Sequence, residues 1–150
     1  MKNILLVEDE VHKRDEMKQC VLEAYGLLPE VVDGVSSAVH MVQNFDYDLI
    51  ILDMALSTFG ESAEDKKKGH DQAQGGIEVL RALKASGKVA KVLIVTQYPD
   101  FYIGGTKVKL KNSVAVVSEK YRQKVVGAVL YHYKSTPTLQ RITSILKKFK

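Results

Sequence analysis

Residues 47–53, Tyr47-Asp48-Leu49-Ile50-Ile51-Leu52-Asp53, set four consecutive aliphatic side chains directly before a carboxylate. An aliphatic block without polar alternation is the pattern of a strand buried on both faces, as in a parallel sheet covered by helices. Asp53 then stands at the carboxyl end of that strand. In open α/β sheets this edge is where ligands bind, so an acid here carries functional weight that one on a helix surface lacks.

The pattern recurs along the chain. Residues 4–7 are an aliphatic run closed by Glu8, Asp9 and Glu10, and residues 92–95 are another, closed by Thr96. A weaker strand is expected over 28–32, and a fifth over 128–133, which delivers Lys134. Between the strands the apolar spacing turns helical. Met17, Cys20, Val21 and Ala24 form a stripe ended by Gly26; Val35, Ala38, Val39 and Val42 form a second; Ile77, Leu80 and Leu83 form a third. A helix capped by Asn112 or Ser113 is expected to place Val114, Val117, Tyr121 and Val125 on one face and to stop at Gly127. The last helix, capped by Ser135 or Thr136 with Pro137 in its first turn, carries Leu139, Ile142, Leu146 and Phe149. Strands alternating with helices predict a doubly wound, five-stranded parallel α/β sheet, since parallel strands require such crossovers.

Two polar stretches interrupt this order. The first, near 57–75, contains Lys66, Lys67, Lys68, His70 and Asp71 and reads as a long solvated loop. The second, near 98–112, contains Pro99, Gly104 and Gly105, and its alternation of Lys107, Lys109 and Lys111 with Val108 and Leu110 predicts a short strand or ribbon with a basic face.

A chain of 150 residues with 45% hydrophobic and 27% charged content is expected to be one domain, 1–150, with a full core. The N-terminal apolar run is too short for a signal peptide or a membrane span. Cys20 is the single cysteine, which excludes an internal disulfide and suits a cytoplasmic, reducing compartment. The net charge of +4 conceals an asymmetry: residues 1–75 hold 7 Lys/Arg against 15 Asp/Glu, whereas residues 76–150 hold 15 against 3. His12, His40, His70 and His132 lack metal-ligand spacing.

In a parallel sheet the strand ends share one edge, which gathers Glu8, Asp9, Asp53, Thr96 and Lys134. Three clustered carboxylates repel one another, and a hard divalent cation such as Mg²⁺ (or Mn²⁺) relieves that repulsion. A hydroxyl and an ammonium beside them complement a phosphoryl group. The expected chemistry is attack by an Asp53 oxygen on a phosphoryl donor to give an acyl phosphate, with the metal and Lys134 neutralising charge and Thr96 donating a hydrogen bond.

On these residues the chain resembles the receiver domain of response regulators, the phosphoacceptor module of two-component signalling. MKNILLVEDE resembles the family's first strand and acidic pair, DLIILDMAL its phosphorylation strand, VLIVT its hydroxyl position, and GAVLYHYK its spacing to a lysine. The resemblance covers essentially the whole chain and implies a flavodoxin-like (βα)5 fold. It implies Asp53 as acceptor, Glu8, Asp9 and Asp53 as metal ligands joined by the backbone carbonyl of Ala55, and Tyr131 as the switch aromatic. It further implies a signalling module rather than an enzyme, with a histidine kinase or phosphotransfer protein as its partner. The chain departs from the family in having Ser57 and Ser135 where prolines are usual. Gln97 replaces the usual small residue after the hydroxyl and is expected to limit access to the acceptor.

Three functional classes follow. The first is a stand-alone receiver phosphorylated on Asp53 and signalling through its fourth helix, fifth strand and fifth helix, because the last helix reaches the end of the chain. The second is a receiver-like interaction module not switched by phosphate. The third, ranked last for want of a reader motif, is nucleic-acid binding through Lys107, Lys109, Lys111, Lys120, Arg122 and Lys124.

Overall fold

The computed structural model describes residues 3–56 and 75–150. Ser57, Lys66 to Lys68, His70 and Asp71 lie outside the described residues. So does nearly all of the polar stretch expected near 57–75.

Five strands, β1 (Ile4–Val7), β2 (Glu30–Val32), β3 (Leu49–Leu52), β4 (Lys91–Thr96) and β7 (Lys124–Leu130), form one parallel sheet in the order β2-β1-β3-β4-β7. The crossovers are α1 (Val11–Tyr25), α2 (Val35–Asn44), α3 (Gly75–Ala85) and α4 (Leu110–Tyr121), and α5 (Thr136–Lys148) follows β7. The strand side chains alternate between two cores. Leu5, Val7, Ile50, Leu52, Val92 and Ile94 pack with α2, α3 and α4. Ile4, Leu6, Leu49, Ile51, Leu93 and Val95 pack with α1 and α5. Helices on both faces are why β1 and β3 contain no polar residue. The expected doubly wound flavodoxin-like architecture is therefore present.

Several boundaries differ from the sequence expectation. β2 is only Glu30–Val32, and Leu28 is left exposed. The fourth helix begins at Leu110, not at Asn112 or Ser113, and ends at Tyr121 with Arg122 in the left-handed conformation at φ 54°. Val125 and Gly127 belong to β7, so Gly127 is not a helix stop. Its lack of a side chain answers to packing, because a Cβ there would lie 3.2 Å from Ile145 and 3.3 Å from Leu93. The last helix starts as expected, with Ser135 accepting from Thr138 N at 3.3 Å and Pro137 in its first turn.

Between β4 and α4, β5 (Asp100–Ile103) and β6 (Thr106–Lys109) pair as an antiparallel hairpin closed by Gly104 and Gly105, both at positive φ. The basic-faced strand expected over 106–111 is thus present only as far as Lys109; Leu110 and Lys111 are helical. Phe101, Ile103 and Val108 bury one face of the hairpin in the core shared with α3 and α4.

Candidate functional site

The register of the sheet builds the site. Val7 lies opposite Leu52, so the next residues, Glu8 and Asp53, leave the carboxyl edge side by side. Leu52 lies opposite Ile94, which brings the end of β4 to the same edge. Asp53 is held in place locally, its Oδ1 accepting from Ala55 N at 2.9 Å. Glu8 Oε2 accepts from Asp9 N at 3.1 Å and Glu10 N at 3.2 Å, so the acid caps the turn that leads into α1.

The remaining oxygens of both acids meet one ammonium. Lys13 Nζ lies 2.6 Å from Glu8 Oε1 and 3.0 Å from Asp53 Oδ2, and it donates to the carbonyl of Val95 at 2.6 Å. Three N–H donors thus have three acceptors, which is what allows a lysine to be only 1% exposed. Glu8 is equally enclosed at 2% and Asp53 nearly so at 8%. Burial pushes the Glu8 carboxyl up to about 8; Lys13 pulls it down, and the neighbouring Asp53 charge adds to the rise.

The structure gathers Glu8, Asp9 and Asp53, with Thr96 at the end of β4 on the same sheet edge, while the ammonium that meets Glu8 and Asp53 is that of Lys13 and not that of Lys134. Lys134 is exposed, its backbone is left-handed at φ 55°, and its Nζ lies over the Tyr133 ring at 5.4 Å. Among the described residues, the cation paired with Asp53 is Lys13. Its signal was present in the sequence: Lys13 continues the apolar stripe of α1, four residues before Met17 and seven before Cys20, on a face where an unpaired charge would be costly.

Thr96 is fully buried at the end of β4, its Oγ1 accepting from Tyr98 N at 3.3 Å and its carbonyl from Tyr131 N at 2.7 Å. Gln97 is exposed and ties the exit of β4 to the start of α1, donating from Nε2 to Glu10 Oε2 at 2.9 Å. Tyr131 is buried, with its hydroxyl on Glu16 Oε1 and its ring 5.6 Å from Lys13 Nζ. Burial, then Glu16, raises the Tyr131 hydroxyl above the ordinary phenol range.

The donor set suits a hard cation. Glu8, Asp9 and Asp53 each offer an oxygen, and these atoms lie within 4.8 Å of one another. Carboxylate oxygens on a partly open edge are what Mg²⁺ takes, with water and phosphate oxygens filling its shell. The Ala55 peptide adjoins this set through its N–H on Asp53. Of the basic residues of the second half, Lys107 faces Asp100 at 3.7 Å.

No family model matches the chain. It is similar to the Detocs response regulatory protein DtcB of Vibrio alginolyticus, with 32% identity over 148 residues, covering 96% of this chain and 99% of that protein. Its fold is similar to that of a response regulator from Colwellia psychrerythraea, at a TM-score of 0.62 and 16% identity over 97% of each chain. It is also similar to that of the response regulator TrrA from Thermotoga maritima, solved in complex with Mg²⁺ and BeF, at a TM-score of 0.57 and 21% identity over 97% of this chain and 99% of that one. No helix among the described residues is long and apolar enough to cross a membrane.

Proposed function

This chain belongs to the response-regulator receiver family, and we propose that within it Asp53 accepts a phosphoryl group in a Mg²⁺-dependent reaction that biases a protein-interaction surface. Receiver domains are signalling modules that interact with histidine kinases or phosphotransfer proteins. The observation that carries the reading is the convergence of Glu8, Asp9 and Asp53 at one sheet edge.

Glu8, Asp9 and Asp53 would hold the metal, with the Ala55 carbonyl as a further oxygen. When bound, Mg²⁺ supplies positive charge to the oxygens of the incoming phosphoryl group. An Asp53 carboxylate oxygen attacks phosphorus, the bond from phosphorus to the donor breaks with its electron pair leaving on the donor, and an acyl phosphate forms on Asp53. The Ala55 N–H fixes the plane of the carboxylate for that attack. Because Thr96 Oγ1 already accepts from Tyr98 N, its own hydrogen is left to donate to a phosphoryl oxygen. Tyr131 and Glu16 supply the element to be biased, a buried aromatic held by one hydrogen bond.

The Mg²⁺-BeF complex of TrrA supports the reading by analogy, since that structure shares this fold. The test is incubation with acetyl phosphate and Mg²⁺ followed by intact-mass measurement. The wild-type chain gains the mass of one phosphate and Asp53→Asn gains none.

A further inference from the structure

We propose that Lys13, on the first turn of α1, is the ammonium that contacts the phosphoryl group carried by Asp53; the inference rests on Asp53 being the acceptor. Lys13 Nζ already touches the carboxylate that would be modified, at 3.0 Å from Oδ2. The outer oxygens of a phosphoryl group lie only two P–O bonds from the carboxylate oxygen that carries it, so they fall within reach of an ammonium already in contact with that carboxylate.

The chemistry favours the transfer of this contact. Once a carboxylate oxygen becomes the bridging oxygen of an acyl phosphate, Asp53 has given up its own anionic charge, and the new negative charge lies on the phosphoryl oxygens. The ammonium follows the charge while keeping its hydrogen bonds to Val95 O and Glu8 Oε1, both at 2.6 Å. Lys134 is poorly placed for this task. It is exposed, its Nζ is over Tyr133, and its backbone N–H is tied to Glu16 Oε1 at 3.2 Å.

The same geometry gives Lys13 a second, opposite effect. An ammonium lying between Glu8 and Asp53 competes electrostatically with a divalent cation for the same two carboxylates. Removing it leaves Asp53 without its paired cation and frees both carboxylates of a competing ligand, which favours metal binding. A residue that merely supported the fold would lower metal binding and phosphoryl uptake together, whereas Lys13 separates them.

Three variants decide this: Lys13→Met, Lys13→Gln and Lys134→Met. Each is treated with acetyl phosphate and Mg²⁺ and followed by intact mass, and Mg²⁺ binding is titrated separately by calorimetry without donor. Lys13→Met is expected to slow labelling at least about tenfold, while Lys134→Met stays within about threefold of wild type. Lys13→Met is also expected to bind Mg²⁺ at least as tightly as wild type. Should Lys13→Met not fold, Lys13→Gln carries the same expectations, because its amide keeps N–H donors in the buried site without the charge. Labelling of the neutral variant at the wild-type rate, loss confined to Lys134→Met, or weakened Mg²⁺ binding together with lost labelling each overturns the proposal. Failure of the wild-type chain to gain phosphate is a different result and overturns the acceptor reading itself.

Discussion

The Tyr131 hydroxyl donates to Glu16 Oε1, the same oxygen that accepts the backbone N–H of Lys134. One carboxylate on α1 therefore fixes both the buried aromatic at the exit of β7 and the left-handed turn that follows it. Glu16 lies three residues after Lys13, so the helix that contacts Asp53 also contacts Tyr131.

Tyr131→Phe tests how much that link contributes. It keeps the ring in the α1 and α5 core and removes a hydrogen bond to a charged acceptor, so a loss of about 1.5–3 kcal/mol is expected in urea denaturation. A neutral result would mean that solvent replaces the Tyr131 hydroxyl as a donor to Glu16 at no cost.

Glu8 makes stability depend on pH in the metal-free protein. Its carboxyl titrates at about 8 in the fold against 4.5 ordinarily, so between those values the folded chain retains a proton that the unfolded chain has lost. The contribution is fully present below 4.5 and declines as pH rises toward about 8. Thermal melts over this window should show a falling midpoint, and Glu8→Gln should flatten the slope.

Gly76 lies against the Asp53–Met54 backbone. A Cβ there would lie 2.6 Å from Asp53 O and 2.7 Å from Met54 Cα, both backbone atoms. Gly76→Ala should cost about 1–3 kcal/mol in chemical denaturation, because the Asp53–Met54 peptide or α3 must move. Gly34→Ala, where nothing lies within 4 Å of the new atom, should have little effect.

Gln97→Ala removes the tie between the exit of β4 and Glu10. Under the access-limiting role proposed for it, labelling by acetyl phosphate should quicken, while stability changes by no more than about 0.5 kcal/mol, as for other exposed positions. An unchanged labelling rate would remove that role.

The buried strands were legible because burial on both faces leaves no room for polar alternation, and Ile4–Val7 and Leu49–Leu52 show it plainly. The acids at their ends were legible for the same reason: the first polar residue after each run marks the sheet edge. Gly127 misled because glycine serves equally to stop a helix and to admit a close neighbour, and only the positions of Ile145 and Leu93 decide between these. Spacing pointed to Lys134, but the cation is chosen by three-dimensional reach. A four-carbon side chain from the first turn of α1 reaches the carboxylates across the β1 exit, whereas the Lys134 ammonium lies over the Tyr133 ring. Lys13 was legible only as an oddity, a charge within an apolar stripe.

The most direct test of the account is chemical mapping of the phosphoryl group. After treatment with acetyl phosphate and Mg²⁺, borohydride reduces an acyl phosphate to the alcohol, and peptide mass spectrometry locates the converted residue. The account predicts homoserine at position 53 and unmodified carboxylates at Glu8 and Asp9. Conversion at another acid, or none in a chain that has bound Mg²⁺, would contradict it.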